Sequence, residues 1–205
     1  MSGWDFEANT NNKVEFTKFP VGITKIRVID EEPYVRWTHW LTQHKRSINC
    51  PGRGCPICEI RKNQKANKEP YSYGMSRNFA LNVINRETGN VEIMEQGIGF
   101  FQDLRDVMQD LKDMGHNLIE ADIKVRRRGT GKDDTSYRLD IDEIYTLTDE
   151  DKKLVEEKID LEKYFKPHTN EQITRVLNGE SWEDVMYNNE EDEANEKLEE
   201  DIEVK

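Results

Sequence analysis

All three cysteines of this chain fall within nine consecutive positions, in the order Cys50-x4-Cys55-x2-Cys58, and that spacing leaves the segment little freedom. Two cysteines separated by two residues can grip one ion from a single turn of backbone. Pro51, Gly52, Gly54 and Pro56 let the chain fold tightly around it. Thiolate and imidazole are the ligands of tetrahedral zinc, so a fourth ligand is sought among the histidines. Ten residues separate His39 from Cys50. Val35, Trp37 and His39 would share one strand face, and a hairpin would return His39 beside Cys50. His44, in the following turn, is the alternative. Four protein ligands close the site, which predicts one structural Zn2+ with no open position.

Two other readings of the cysteines compete with this one. Free cysteine is often simply a small buried residue, but confinement of all three to nine positions argues against chance burial. Cys55-Pro56-Ile57-Cys58 also has the spacing of a thiol oxidoreductase pair. That motif opens a helix within a strand-helix-strand unit, and no such unit is read here. Three clustered cysteines do not make a disulfide framework, so a reducing compartment is expected.

With 205 residues the chain is expected to hold one domain plus an appendage. Hydrophobic and charged residues each make up 35%, and the apolar ones concentrate between Val14 and Leu147. No apolar run approaches the roughly 18 residues that span a bilayer. The start, Met1-Ser2-Gly3-Trp4-Asp5, lacks a basic region followed by an apolar one, so no secretory signal and a cytoplasmic location are expected. The net charge of −12 hides a sharp asymmetry. Residues 188–205 carry nine acids against Lys197 and Lys205; residues 36–80 carry nine bases against Glu59 and Glu69, a local +7. An acidic tail beside a basic middle is the charge pattern of an interaction tail.

Alternation and turn residues predict strands at Val14–Phe16, Ile23–Ile29, Tyr34–Trp40, around Ser47, at Met75–Asn85, Val91–Met94, Asp122–Arg128 and Ser136–Ile144. Glu59–Pro70 reads as a short helix and then a loop. Phe100, Phe101, Leu104, Val107, Met108, Leu111 and Met114 fall on one helical face over 99–114, and Gly115 stops that helix. Short polar helices follow at 148–159, 170–177 and 181–187. The predicted fold is mainly β with α: a five-stranded barrel of the oligonucleotide/oligosaccharide-binding (OB) type, with a helix between its third and fourth strands and an inserted zinc subdomain. The expected organisation is a flexible arm at 1–13, an OB-fold core at 14–147 containing the zinc subdomain 39–58, a helical segment at 148–187, and a disordered acidic tail at 188–205.

Around the cysteines, aromatic and basic side chains interleave. Unpaired nucleic acid needs both, since cations neutralise phosphates and aromatic faces stack on bases. The residues expected to contact it are Arg36, Trp37, Trp40, Lys45, Arg46, Arg53, Lys62, Lys65, Tyr71, Tyr73, Arg77 and Phe79. Arg126, Arg127, Arg128, Lys132 and Tyr137 repeat the pattern on the last hairpin. Trp37 is equally readable as a core residue, and Arg126–Arg128 as a solvated strand edge. No catalytic constellation is seen: Gly129-Thr130-Gly131-Lys132 lacks P-loop spacing, and the four histidines are scattered.

Taken together, the ligand set His39…Cys50…Cys55-Pro56-Ile57-Cys58, the Tyr71-Ser72-Tyr73 and Arg77-Asn78-Phe79-Ala80-Leu81-Asn82 segments, the Asn90 hairpin and the following helix resemble the single-stranded-DNA-binding proteins of tailed bacteriophages, typified by the T-even helix-destabilising protein. The likeness covers about residues 14–145. It implies a zinc-containing OB fold, non-enzymatic and sequence-independent coating of single strands in replication, recombination and repair, and self-association along DNA. It also implies that Tyr73, Arg77 and Phe79 line the DNA cleft. Residues 188–205 would recruit replication and recombination proteins and compete with DNA, in the cytoplasm of an infected bacterium. The family's His-to-Cys gap is longer, which keeps His44 in play, and its basic arm is absent here: residues 1–13 hold Asp5, Glu7 and only Lys13. The rival readings are a zinc-stabilised protein-protein adaptor without DNA binding, and a thiol oxidoreductase.

Overall fold

A computed structural model describes residues 14–131 and 133–185. The expected arm (1–13) and acidic tail (188–205), and Lys132, lie outside the described residues. Among the described residues there are seven strands, β1 (Gly22–Val28), β2 (Tyr34–Leu41), β3 (Arg46–Asn49), β4 (Gly74–Asn85), β5 (Val91–Gln96), β6 (Ala121–Arg128) and β7 (Ser136–Ile144). The helices are α1 (Pro56–Asn67), α2 (Ile98–Asp113), α3 (Asp149–Glu156), α4 (Leu161–Tyr164) and α5 (Asn170–Leu177). The chain divides into two compact units. One comprises the described residues up to Val35 together with Asn78–Tyr164; the other comprises Arg36–Arg77 together with the described residues from Phe165.

In the first unit the hydrogen-bonded order is β5-β4-β1-β6-β7, antiparallel throughout. The core lies where the inward faces of these strands meet α2. Phe100, Phe101, Leu104, Val107 and Leu111 are buried at helical spacing and pack with Phe19, Leu81 and Ile123. Met114, expected on that face, is instead the exposed helix cap. Gly115, at φ +84°, ends the helix as its position predicts. β4 is buried on both faces from Phe79 to Asn85. Asn82 explains its outer side: the amide donates to Asp30 and to the Ile159 carbonyl at 3.0 Å, and its oxygen accepts from the Ile159 amide. The segment between α3 and α4 therefore lies over β4, and the helix expected over 148–159 ends at Glu156. The predicted Val14–Phe16 strand is only an isolated parallel bridge from Phe16 to Ile93.

A buried ion network ties α3 to the sheet. Arg27, fully buried, donates Nε to Asp122 at 2.5 Å. Arg86 bridges Asp122 at 3.0 Å and Asp151 at 2.5 Å, and Tyr145 donates to Asp122 at 2.8 Å. Asp151 sits in a capping box opened by Thr148.

In the second unit β3 pairs antiparallel with β2, and β4 is β2's other neighbour. α1 begins with Pro56 in its first turn and runs a full 12 residues, longer than the short helix expected there. A second core forms from Leu41, Ile48, Ile57, Ile173, Val176 and Val185, so α5 and the residues after it complete this unit. Of the expected helix at 181–187, residues 182–185 are helical, and 186–187 lie outside the described residues. The architecture is mixed α/β with a mostly antiparallel sheet, of seven strands against the five expected. Its path is open: no pairing between β5 and β7 occurs among the described residues.

Candidate metal centre and nucleic-acid surface

The metal-competent cluster draws one residue from β2 and three from the loop and first turn of α1. His39 is fully buried on β2. The alternation of β2 slips here: Val35 and Trp37 are exposed, then Thr38 and His39 are both buried, and Trp40 is exposed again. Cys50 follows β3. The chain then turns through Gly52 (φ +81°) and Gly54 (φ +79°). Cys55 caps α1, with Cys58 three residues on and on the same face. Pro56 fixes the helix start where its missing N–H costs nothing. The turn is held by the Cys55 amide donating to the Gly52 carbonyl and the Gly52 amide donating to Cys50 Sγ at 3.4 Å.

His39 Nε2 lies 3.4 Å from Cys58 Sγ and 3.5 Å from Cys55 Sγ, and Cys50 Sγ lies 3.6 Å from Cys58 Sγ. All four ligand atoms lie within 4.8 Å of one another. A tetrahedral centre with metal–sulfur bonds of about 2.3 Å and metal–nitrogen bonds of about 2.0 Å puts neighbouring ligand atoms roughly 3.5–3.8 Å apart. The three distances given above are close to that spacing, and the cysteines form no disulfide. These four residues can hold one metal ion, and the histidine among them is His39. His44 lies in the turn between β2 and β3, outside the group. Burial pushes the Cys58 thiol up to about 12, raises Cys50 as well, and lowers the His39 imidazole.

Cys55 and Cys58 do open a helix after a strand, as an oxidoreductase pair would. The flanking strands, however, do not pair with each other in parallel. A reactive thiol needs a lowered pKa, and burial here does the opposite for Cys58.

The same unit exposes aromatic rings beside cations. Trp37 is 46% exposed, with the Arg77 guanidinium 5.8 Å above its ring. Trp40 is 47% exposed, and a Cβ added at Gly74 would come within 3.2 Å of its Cβ, so glycine lets β4 run close beside it. Tyr71 is 50% exposed and carries Arg61 over one face at 4.0 Å; Arg61 also donates to the Tyr73 carbonyl. Arg61 is absent from the contacts the sequence predicts. Its fixing of Tyr71 is a three-dimensional fact that spacing alone does not carry.

The other expected contacts are placed differently from one another. Lys45, Arg53, Lys62 and Lys65 are exposed. Arg36 is half-buried, donates to Asn49 and stacks over Phe165 at 4.1 Å, so it holds the unit together. Arg46 lies over Trp182 and 3.6 Å from Glu183. Tyr73 is half-buried against the second core.

In the first unit, Phe79 departs from its expected stacking role. It is 7% exposed, with its ring 5.1 Å from Phe101 in the core, and its face is spent on protein packing. Tyr137 likewise packs against Phe19 and Phe100. The run Arg126–Arg128 alternates across β6: Arg126 and Arg128 are exposed, while Arg127 turns to the other face and donates to the Phe19 carbonyl at 2.8 Å.

Fold and cluster thus define a mixed α/β chain with a mostly antiparallel open sheet and a centre of one histidine and three cysteines able to hold a metal ion. No protein-family model matches the chain. It is similar to a probable ssDNA-binding protein of Escherichia phage T5, with 26% identity over 160 residues, covering 67% of this chain. The chain spans 58% of the length of that relative. Among the described residues no helix is long and apolar enough to cross a membrane.

Proposed function

We propose that the chain is a non-enzymatic, sequence-independent single-stranded-DNA-binding protein. The observation that carries this reading is the half-exposed set Trp37, Trp40 and Tyr71, each beside a partner on β4 or α1 in a segment of local charge +7. Exposed ring faces offer each base a stacking surface worth roughly 1–3 kcal/mol whatever its identity. The neighbouring cations neutralise phosphates and release counterions. The named activity of the phage relative supports the same reading.

The ion held at His39, Cys50, Cys55 and Cys58 is Zn2+ in this proposal, because a buried, closed set of one imidazole and three thiolates suits its tetrahedral preference. When bound, it would lock β2 to the start of α1 and so fix the backbone that carries Trp37 and Trp40. The order β5-β4-β1-β6-β7, with α2 between β5 and β6, is the connectivity of a five-stranded barrel with a helix between its third and fourth strands, which supports the OB reading. We extend the reading to the T-even type, to work in replication, recombination and repair inside an infected bacterium, and to self-association along DNA. In the same reading the tail 188–205 acts as a tether for protein partners.

Fluorescence titration with oligodeoxythymidylate, duplex DNA and RNA at two salt concentrations tests the core claim. Tight, strongly salt-dependent binding of the single strand over the duplex is expected. If the purified chain leaves oligodeoxythymidylate unbound at low salt, even without residues 188–205, the reading fails.

A further inference from the structure

The outer face of β1, β6 and β7 carries a second concentration of positive charge that lies outside the aromatic surface. Residues directly opposite one another in an antiparallel pair share a face. The register therefore puts Lys25, Lys124 and Asp140 in one row, Ile23, Arg126 and Arg138 in the next, and Arg128 with Ser136 beyond. Arg126, Arg128 and Arg138 are exposed. Lys25, Lys124, Arg126, Arg128 and Arg138 thus share these rows with Asp140, while the row on the far side of Lys25 and Lys124 holds Arg27, Asp122 and Glu143.

The anions are unevenly spread. The register of β6 and β7 shifts between Asp122 and Ile123 and skips Asp142. A bulge of this kind re-aims a side chain. Here it puts the Asp142 carboxylate, 7% exposed, 2.6 Å from Lys25 and beside Lys124. That pair of lysines is largely neutralised. In the next row Arg126 directly faces Arg138, whose nearest acid is its own neighbour Asp140 at 3.0 Å. Like charges placed opposite each other destabilise a sheet. A bound anion would relieve that repulsion. Among the described residues no aromatic ring is exposed on this face, since Tyr137 is turned inward.

We propose that the Arg126–Arg138 row, flanked by Arg128, holds the phosphates of the single strand through the backbone alone, without touching the bases. Alternate residues on a strand stand about 7 Å apart, so Arg126 and Arg128 can take separate phosphates of one extended strand. The inference rests on the single-strand reading above and adds to it a distinct, base-independent surface.

The test uses the full chain and two probes of equal length, oligodeoxythymidylate and a fully abasic oligomer. Arg126→Ala/Arg138→Ala should lower the slope of log affinity against log salt by about 1.4 for both probes, at about 0.7 for each phosphate no longer neutralised. Arg126→Lys/Arg138→Lys should keep it. Trp37→Ala should weaken only the probe with bases. Removing the same charge elsewhere, in Lys112→Ala/Lys153→Ala, should leave the slope unchanged. An unchanged slope in the double alanine variant, or an equal fall in the lysine control, overturns the proposal. If oligodeoxythymidylate still binds in a Trp37-dependent way, the broader reading survives that failure; if wild type binds neither probe, both fall.

Discussion

Asn49, at the end of β3, donates its side-chain amide to the carbonyl of Phe165 at 2.9 Å, across 116 positions of sequence. In the same unit, Asn170 donates to the Arg53 carbonyl at 3.3 Å inside the cysteine loop. The unit that carries His39 and the three cysteines is therefore built from two distant stretches. Truncation after residue 164 should strip Ile173, Val176 and Val185 from its core, expose Ile57 and Leu41, and abolish stable metal retention. Native mass spectrometry of the truncated and full chains checks this; one retained ion in the truncated chain would contradict it.

The ligand assignment gives a sharp substitution test. His39→Ala and Cys58→Ser should each remove the bound ion and lower the melting temperature markedly, because structural zinc contributes folding energy directly. His44→Ala should retain one ion per chain. Metal stoichiometry after dialysis, read with a melting curve, decides between the histidines.

Phe79 and Trp37 should separate stability from affinity. Phe79→Ala empties a core position against Phe101 and should cost about 3–5 kcal/mol of stability. Trp37→Ala should leave the melt near wild type and weaken oligodeoxythymidylate binding by about 1–3 kcal/mol. Chemical denaturation alongside titration reads both; the opposite pattern would reverse the two assignments.

Acid should loosen α3 first. Arg86, hydrogen-bonded to its carboxylate, holds Asp151 below the usual carboxylate range. A carboxyl depressed in the folded state adds stability that is present above its ordinary pKa of about 3.9 and is lost as pH falls through the folded value. Amide exchange in Asp149–Glu156 should therefore rise below about pH 4 ahead of exchange in β1. Asp151→Asn should show faster exchange there already at neutral pH, with a stability loss of about 1–3 kcal/mol. Uniform protection across the acid range would remove the network from this role.

Gly129 stands at φ +80°, and a Cβ there would lie 2.2 Å from the Asp134 carbonyl oxygen. Gly129→Ala should distort the β6–β7 loop and destabilise the chain by about 1–3 kcal/mol. A wild-type melting curve for that variant would show the loop to be more yielding than its backbone packing suggests.

Much of the first unit is legible in the sequence because its signals are local. The α2 face repeats at helical spacing, the Asn90-containing turn joins β4 to β5, and Gly115 marks a stop. The cysteine spacing carries the ligand set, and a hairpin suffices to favour His39. What stays hidden depends on packing across the chain. Phe79 reads as available for stacking because Arg77 lies two residues away, but only the packed structure shows Phe101 against its ring. Arg127 separates from Arg126 and Arg128 once the phase of β6 is known. The bulge that turns Asp142 beneath two lysines leaves no mark in composition.

The interrupted layout of the metal unit also has a temporal side. Residues 36–77 are made well before residue 165; at a synthesis rate of about 5–20 residues per second, the interval is roughly 4–18 s. During that window the three thiols have neither α5 nor Val185 to shield them. An ion taken up in that interval would be held by His39 and the three cysteines before the second core has closed over Ile57.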